Sequence, residues 1–237
     1  MTTPAFSLVM PAYNEEGALV AAVERTLAAA NKLRLPYELV IVNDASRDRT
    51  GVLAEELHRR YAGTVRVVHN RRNQRLGGAI LRGIRVARAE RCLVCYVDSP
   101  QNATQMRAFL AASDDADIVA GYRSQRVGYS WWMRAASRWY WWCLRALFHT
   151  RLKDLTWVCL YRKTVFKKIR VRFRWVAFFP EVLLKAERAG FRVREVRCDM
   201  RPRTQGIATV SRPHVVVRAA WDTVRLWREL QRTRRRM

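Results

Sequence analysis

The sequence predicts an α/β fold built on a mainly parallel sheet. Within the first 125 of its 237 residues, short apolar runs alternate with stretches of helical periodicity. Each of the first two apolar runs delivers a cluster of polar side chains to a strand-to-helix junction. Half of the residues are hydrophobic, enough for one large domain with its own core.

The elements follow in order. A strand at about 6–10 runs into Pro11-Ala12-Tyr13-Asn14-Glu15-Glu16, and a helix follows at about 15–33 with Asn14 as its N-cap. A second strand at about 37–43 ends in Asn43-Asp44-Ala45-Ser46-Arg47-Asp48-Arg49-Thr50. Ser46 or Asp48 caps the next helix, at about 49–61. Strands at about 64–69, 92–98 and 117–122 alternate with helices at about 77–89 and 103–112. Such βαβ units imply right-handed crossovers. In open sheets of this kind, nucleotides bind at the strand-to-helix junctions.

The second half changes character. Five of the nine Trp residues fall between Trp131 and Trp142, in a stretch with helical pattern that runs to Phe148. Arg134, Arg138, Arg145 and His149 form its one polar stripe. A short strand at about 156–161 and a short helix come next, then a helix at 179–188 and a strand at 191–198. Residues 201–212 read as a polar loop and 215–231 as an amphipathic helix, followed by a basic tail. The organisation expected is one continuous domain, with residues 1–125 binding the nucleotide and 126–237 forming the acceptor half.

The formal net charge of +25 favours anionic partners: phosphates, nucleic acid or an acidic membrane surface. No RNA- or DNA-binding signature accompanies it, which argues against a nucleic-acid partner. The five cysteines are odd in number and scattered. Cys92 and Cys95 have metal-motif spacing, but on a strand they point to opposite faces, so buried reduced thiols are expected. That suits the cytoplasm. No signal peptide and no apolar run long enough to span a bilayer is seen.

The two N-terminal junctions together resemble the opening of family 2 glycosyltransferases, inverting enzymes with the GT-A fold. Three further stretches extend the resemblance: Asn73 to Gly83, Leu93 to Asn102 and Arg201 to Thr209. The closest subgroup resembles dolichol-phosphate mannosyltransferase and bacterial polyprenyl-phosphate glycosyltransferases. The resemblance implies a nucleotide-sugar donor, a polyprenyl phosphate acceptor and a place on the cytosolic face of a membrane.

It also implies roles for residues. Pro11, Tyr13, Glu15, Asn43 and Asp44 would face the nucleotide. Gly77 would let the backbone approach the donor, and Arg82 would reach a phosphate. Asp98 matches the first Asp of the family's Asp-x-Asp motif, which holds Mg²⁺ or Mn²⁺, while position 100 is proline. Asn102, or Gln101 in the alternative register, would supply an amide oxygen to the metal. Arg123 ends a strand in Gly-x-Arg and would face the acceptor side. Asp154 and Glu181 are candidate bases, and Arg203, in a loop shared with Gly206, would stabilise the departing diphosphate. A phosphate acceptor is already ionised and needs no base, whereas a hydroxyl acceptor would need one.

The Trp-rich helix suits a membrane interface. It also suits the core, a dimer contact or a membrane-protein partner. Two other readings stand beside the lipid-phosphate one: a soluble family 2 transferase acting on a hydroxyl, and a degenerate relative serving as a partner subunit.

Overall fold

The computed structural model describes residues 3–99, 101–123, 131–175, 177–198 and 213–234. Among them, β1 (Phe6–Ala12), β2 (Tyr37–Asn43), β3 (Val65–His69), β4 (Arg91–Val94), β5 (Ile118–Arg123), β6 (Cys159–Arg162) and β7 (Val193–Cys198) form one sheet in the order β3-β2-β1-β4-β6-β5-β7. All pairings are parallel except those of β6, which runs antiparallel to both β4 and β5. The C-terminal ends of the six parallel strands therefore share one edge, and β6 starts there. The order reverses at β1, which lies between β2 and β4. That reversal opens the crevice in which open α/β sheets take ligands.

The helices are α1 (Leu19–Asn31), α2 (Thr50–Arg60), α3 (Arg75–Val86), α4 (Ala103–Ala112), α5 (Trp131–Phe148), α6 (Val165–Lys168), α7 (Phe178–Arg188) and α8 (Pro213–Arg234). Strand side chains alternate between two cores. Leu8, Met10, Leu39 and Ile41 pack with α1, α2 and α4; Val9, Val40 and Val42 pack with α3, α7 and the buried sides of α5 and α8. Cys92 and Cys95 fall in different cores, and neither they nor the other cysteines form disulfides. Burial pushes the Cys92 and Cys159 thiols up to about 12, so they stay protonated.

Several boundaries depart from expectation: β4 ends at Val94, four residues short of the expected 98, and β6 starts at Cys159, not near 156. Helix α1 begins at Leu19, not near residue 15, and Asn14 does not cap it. Asn14 has φ of 55°, and the backbone N–H groups of Glu15 and Glu16 bond to side chains beyond β2. Helix α3 begins at Arg75 and stops at Val86, three residues early, because the chain turns extended at Ala87. The next two N–H groups are captured by Glu38 Oε1 and by Ser7 Oγ. Glu38 is buried at the far end of β2 and also accepts from Ser7 Oγ and Arg66. Burial pushes its carboxyl up, but these hydrogen bonds and the Arg66 charge outweigh it and hold the group below the usual range.

Candidate functional site

The loops after β1 and β2 are zipped together across the sheet edge. Asn14 N–H donates to Ser46 Oγ (3.1 Å), and Arg47 N–H returns to Asn14 Oδ1 (2.9 Å). Glu15 N–H donates to Thr50 Oγ1 (2.7 Å) and Glu16 N–H to Asp48 Oδ2 (3.2 Å), while Arg49 N–H donates to Glu16 Oε2 (3.0 Å). Polar residues expected to cap helices thus hold two loops in register. Asp48 also accepts from Thr50 N–H, as a residue just before α2 should. Tyr13 stays exposed beside this zip, with Pro11 and Glu15 half-buried.

Asn43 and Asp44 turn inward. Asn43 Oδ1 accepts from Ser46 N–H (3.1 Å), and its Nδ2 meets His69 Nδ1 (2.9 Å). Asp44 Oδ1 accepts from Asn70 Nδ2 (2.7 Å) and from Gln74 N–H (2.8 Å). Asp44 therefore positions the start of α3.

The start of α3 differs from the expected phosphate cradle. The N–H groups of Gln74, Arg75 and Gly77 go to Asp44, to Asn73 Oδ1 and to the Arg174 carbonyl. Gly77 makes room for protein, not ligand: a Cβ there would lie 2.6 Å from Phe178 Cδ2. Arg82 is exposed, about 10 Å along the helix axis from Arg75. The cations at this junction are instead Arg75, stacked over Trp175 at 4.9 Å, and Arg174, whose Nη1 lies 3.2 Å from where a Gly78 Cβ would be. Sequence reasoning missed Arg174, which has no motif around it and arrives from about a hundred residues downstream.

Asp98 is exposed just beyond β4. Asn102, expected at a metal, is the N-cap of α4. Its Oδ1 accepts from Gln105 N–H (2.8 Å), and Gln105 Oε1 accepts from Asn102 N–H (3.2 Å) in a reciprocal capping box. Gln101 is buried, and its Oε1 has no hydrogen-bond partner among the described residues. An orphaned buried acceptor is costly, and a cation would satisfy it. Asp98 and Gln101 thus fit a hard divalent ion through oxygen ligands, with the amide supplied from the alternative register. No group of three His, Cys, Asp or Glu residues gathers among the described residues, so such an ion would lean on other oxygens as well. Pro100 lies outside the described residues, as do Arg203 and Gly206.

Arg123 and Asp154 form a nearly buried pair at the same edge. Arg123 Nε donates to Asp154 Oδ2 (2.7 Å), and Nη2 donates to Asp154 Oδ1 (3.2 Å) and Thr156 Oγ1 (2.8 Å). The guanidinium stacks over Trp157 at 4.8 Å, and Trp157 meets Tyr96 edge-on at 6.0 Å. Asp154 Oδ1 accepts further bonds from Thr156 N–H and Oγ1. Desolvation pushes the carboxyl up, but the Arg123 charge and these bonds win and hold it below the usual range.

Glu181 is fully buried one turn into α7, away from an open position. Its oxygens accept from Arg172 N–H (2.9 and 3.0 Å), Phe173 N–H (2.7 Å) and Lys185 Nζ (2.6 Å). Both carboxylate oxygens of each candidate base accept hydrogen bonds from the protein.

The model of glycosyl transferase family 2 matches residues 7–170. An undecaprenyl-phosphate 4-deoxy-4-formamido-L-arabinose transferase from Edwardsiella ictaluri is 31% identical over 133 residues, 56% of this chain and 41% of the relative. A dolichyl-phosphate beta-glucosyltransferase from Dictyostelium discoideum is 30% identical over 135 residues, 51% of this chain and 40% of the relative. The chain thus spans about 40% of the length of the curated relatives it matches. Glucosyl-3-phosphoglycerate synthase from Mycobacterium tuberculosis, solved with Mn²⁺, UDP-glucose and phosphoglyceric acid, superposes with a TM-score of 0.72 at 14% identity, over 94% of this chain and 80% of that one. The fold is GT-A.

Proposed function

This chain belongs to glycosyl transferase family 2, and on that premise we propose that it moves a sugar from a nucleotide sugar to a polyprenyl phosphate. One observation carries the choice of acceptor. Asp154 and Glu181 are both buried, and every one of their carboxylate oxygens already accepts a hydrogen bond from the protein, so neither is poised to deprotonate a hydroxyl. A lipid phosphate brings its own negative oxygen and needs no such base.

In this reading the phosphate oxygen attacks the anomeric carbon from the face opposite the donor diphosphate. A C–O bond forms, the bond to the diphosphate breaks with its electron pair leaving on the diphosphate, and the configuration inverts. Tyr13 and Asp44 hold the nucleoside. Arg75 and Arg174 at the α3 junction neutralise the diphosphate. Asp98 and Gln101 would hold Mg²⁺ or Mn²⁺, which offsets charge on the leaving group. The Arg123–Asp154 pair and Trp157 shape the acceptor wall.

A peripheral place on the cytosolic face of the membrane fits the surface. No helix among the described residues is long and apolar enough to cross a bilayer. Yet α5 carries Trp131, Trp139 and Trp142, each 63–80% exposed, with exposed Arg138 and Arg145 on the same helix. On α8, Trp221 and Val224 stand out beside Arg225, Arg228 and Arg232. Exposed aromatics among arginines suit an anionic headgroup layer, where each cation adds about 1 kcal/mol.

The test is transfer of radiolabelled sugar from a panel of nucleotide sugars to polyprenyl phosphate in detergent, with Mg²⁺ or Mn²⁺, with EDTA, and with Asp98→Ala. Metal-dependent transfer that is lost in the variant supports the reading. Nucleotide binding without transfer to the lipid phosphate overturns the acceptor assignment, and no binding at all points to a non-catalytic partner subunit.

A further inference from the structure

Residues 170–175 form a strap between α6 and α7 that is tied on two sides. On one side the strap closes the α3 junction. The Arg174 carbonyl accepts from Gly77 N–H (2.9 Å), Trp175 lies under Arg75, and Phe178, just beyond, fills the space that Gly77 leaves. On the other side the strap is held by Glu181, which accepts the N–H groups of Arg172 and Phe173.

Glu181 is completely buried, and a buried carboxylate persists only when a cation and hydrogen bonds compensate it. Its cation is Lys185, one helical turn on, at 2.6 Å. Lys185 spends its three N–H donors on Glu181 Oε1, on the Arg170 carbonyl (2.9 Å) and on Glu229 Oε1 of α8 (2.8 Å). Glu229 also lies 3.5 Å from the Arg172 guanidinium, so α8 reaches the strap directly. Nearby, Arg188 of α7 donates to the Leu230 carbonyl of α8 (2.7 Å). A continuous polar path therefore runs from α8 through Lys185 and Glu181 to the strap, to Gly77 and, through Gln74, to Asp44.

We propose that Glu181, Lys185 and Glu229 form a positioning triad that makes nucleotide binding at the α3 junction depend on the docking of helix α8. The triad touches no substrate. It sets where the strap lies, and the strap sets Arg75, Arg174 and the start of α3. The proposal rests on the donor binding at that junction. It implies that whatever holds α8 against the body, a membrane surface included, is felt at the donor end.

The test is calorimetric affinity for UDP, GDP and CDP in the full chain, with amide hydrogen exchange at residues 170–175. Variants are Glu229→Gln, which is isosteric and removes only the α8 charge, Lys185→Met, and Lys185→Arg, which can still bridge both carboxylates. A coupling of the usual size predicts weaker binding by about fivefold or more in Glu229→Gln and in Lys185→Met. It also predicts faster exchange at Arg172 and Phe173 with β1 and β2 unchanged, and recovery of both readouts in Lys185→Arg. Wild-type affinity in folded Glu229→Gln overturns the proposal. A wild-type protein that binds none of the three nucleotides overturns the donor reading instead, so the two failures are distinct.

Discussion

Arg123 Nε lies 2.7 Å from Asp154 Oδ2 where β5 reaches the sheet edge, with both side chains under 10% exposed. In the proposed reading the pair shapes a wall of the site and supplies no acid or base. Asp154→Asn should therefore strip the buried Arg123 of its counter-charge and destabilise the fold by about 3–5 kcal/mol. Activity per folded molecule should survive. Chemical denaturation together with a transfer assay on the folded fraction checks both halves.

Asp154 and Glu38 are both held below the ordinary carboxyl range in the folded state. A depressed folded pKa means that the unfolded chain takes up protons first. The stabilisation is then complete above the unfolded carboxyl pKa, near 4, and fades as pH falls through the lower folded values. Melting temperature should hold from pH 7 to about 5 and drop steeply below 4. The drop should be shallower in Asp154→Asn than in the wild type.

Gln101 and Asn102 should separate cleanly. Asn102→Ala removes the capping box of α4 and should cost about 1 kcal/mol of stability without weakening Mn²⁺ binding. Gln101→Ala removes the orphaned amide oxygen and should weaken Mn²⁺ with little loss of stability. Calorimetric titration of Mn²⁺ beside thermal melts reads the contrast.

Gly77→Ala puts a methyl group against the Phe178 ring. Overpacking of this kind costs about 1–3 kcal/mol. Because Phe178 follows the strap, nucleotide affinity should fall with it, whereas a glycine needed only for ligand approach would lower affinity and leave the melting temperature alone.

Trp139→Ala with Trp142→Ala and Trp221→Ala should abolish co-sedimentation with vesicles containing anionic lipid. Their rings are 60–64% exposed, so stability should change little.

Much of the scaffold is legible because strand spacing and βαβ alternation are local signals. Seven strands and the order of junctions follow from apolar runs alone. Distance along the chain hides the rest. Asn14 reads as an N-cap because Asn before an apolar stretch usually is one, yet its partners lie 32 and 33 residues downstream. Gly77 looks alike in sequence whether its neighbour is a phosphate or Phe178. Glu181 reads as a candidate base, but its carboxylate is held by Lys185, which also binds Glu229, 44 residues beyond that lysine. Asn102 has the spacing expected of a metal ligand, with Gln101 as the register alternative, and the capping box commits Asn102 to α4.

The central claim is that the nucleophile is a phosphate that needs no base. The direct measurement is transfer from the accepted nucleotide sugar to polyprenyl phosphate and, side by side, to the same polyprenol without its phosphate. The account predicts product from the phosphate alone, and continued transfer by the folded fraction of Asp154→Asn. Transfer to the free alcohol at a comparable rate, abolished in Asp154→Asn, would contradict it.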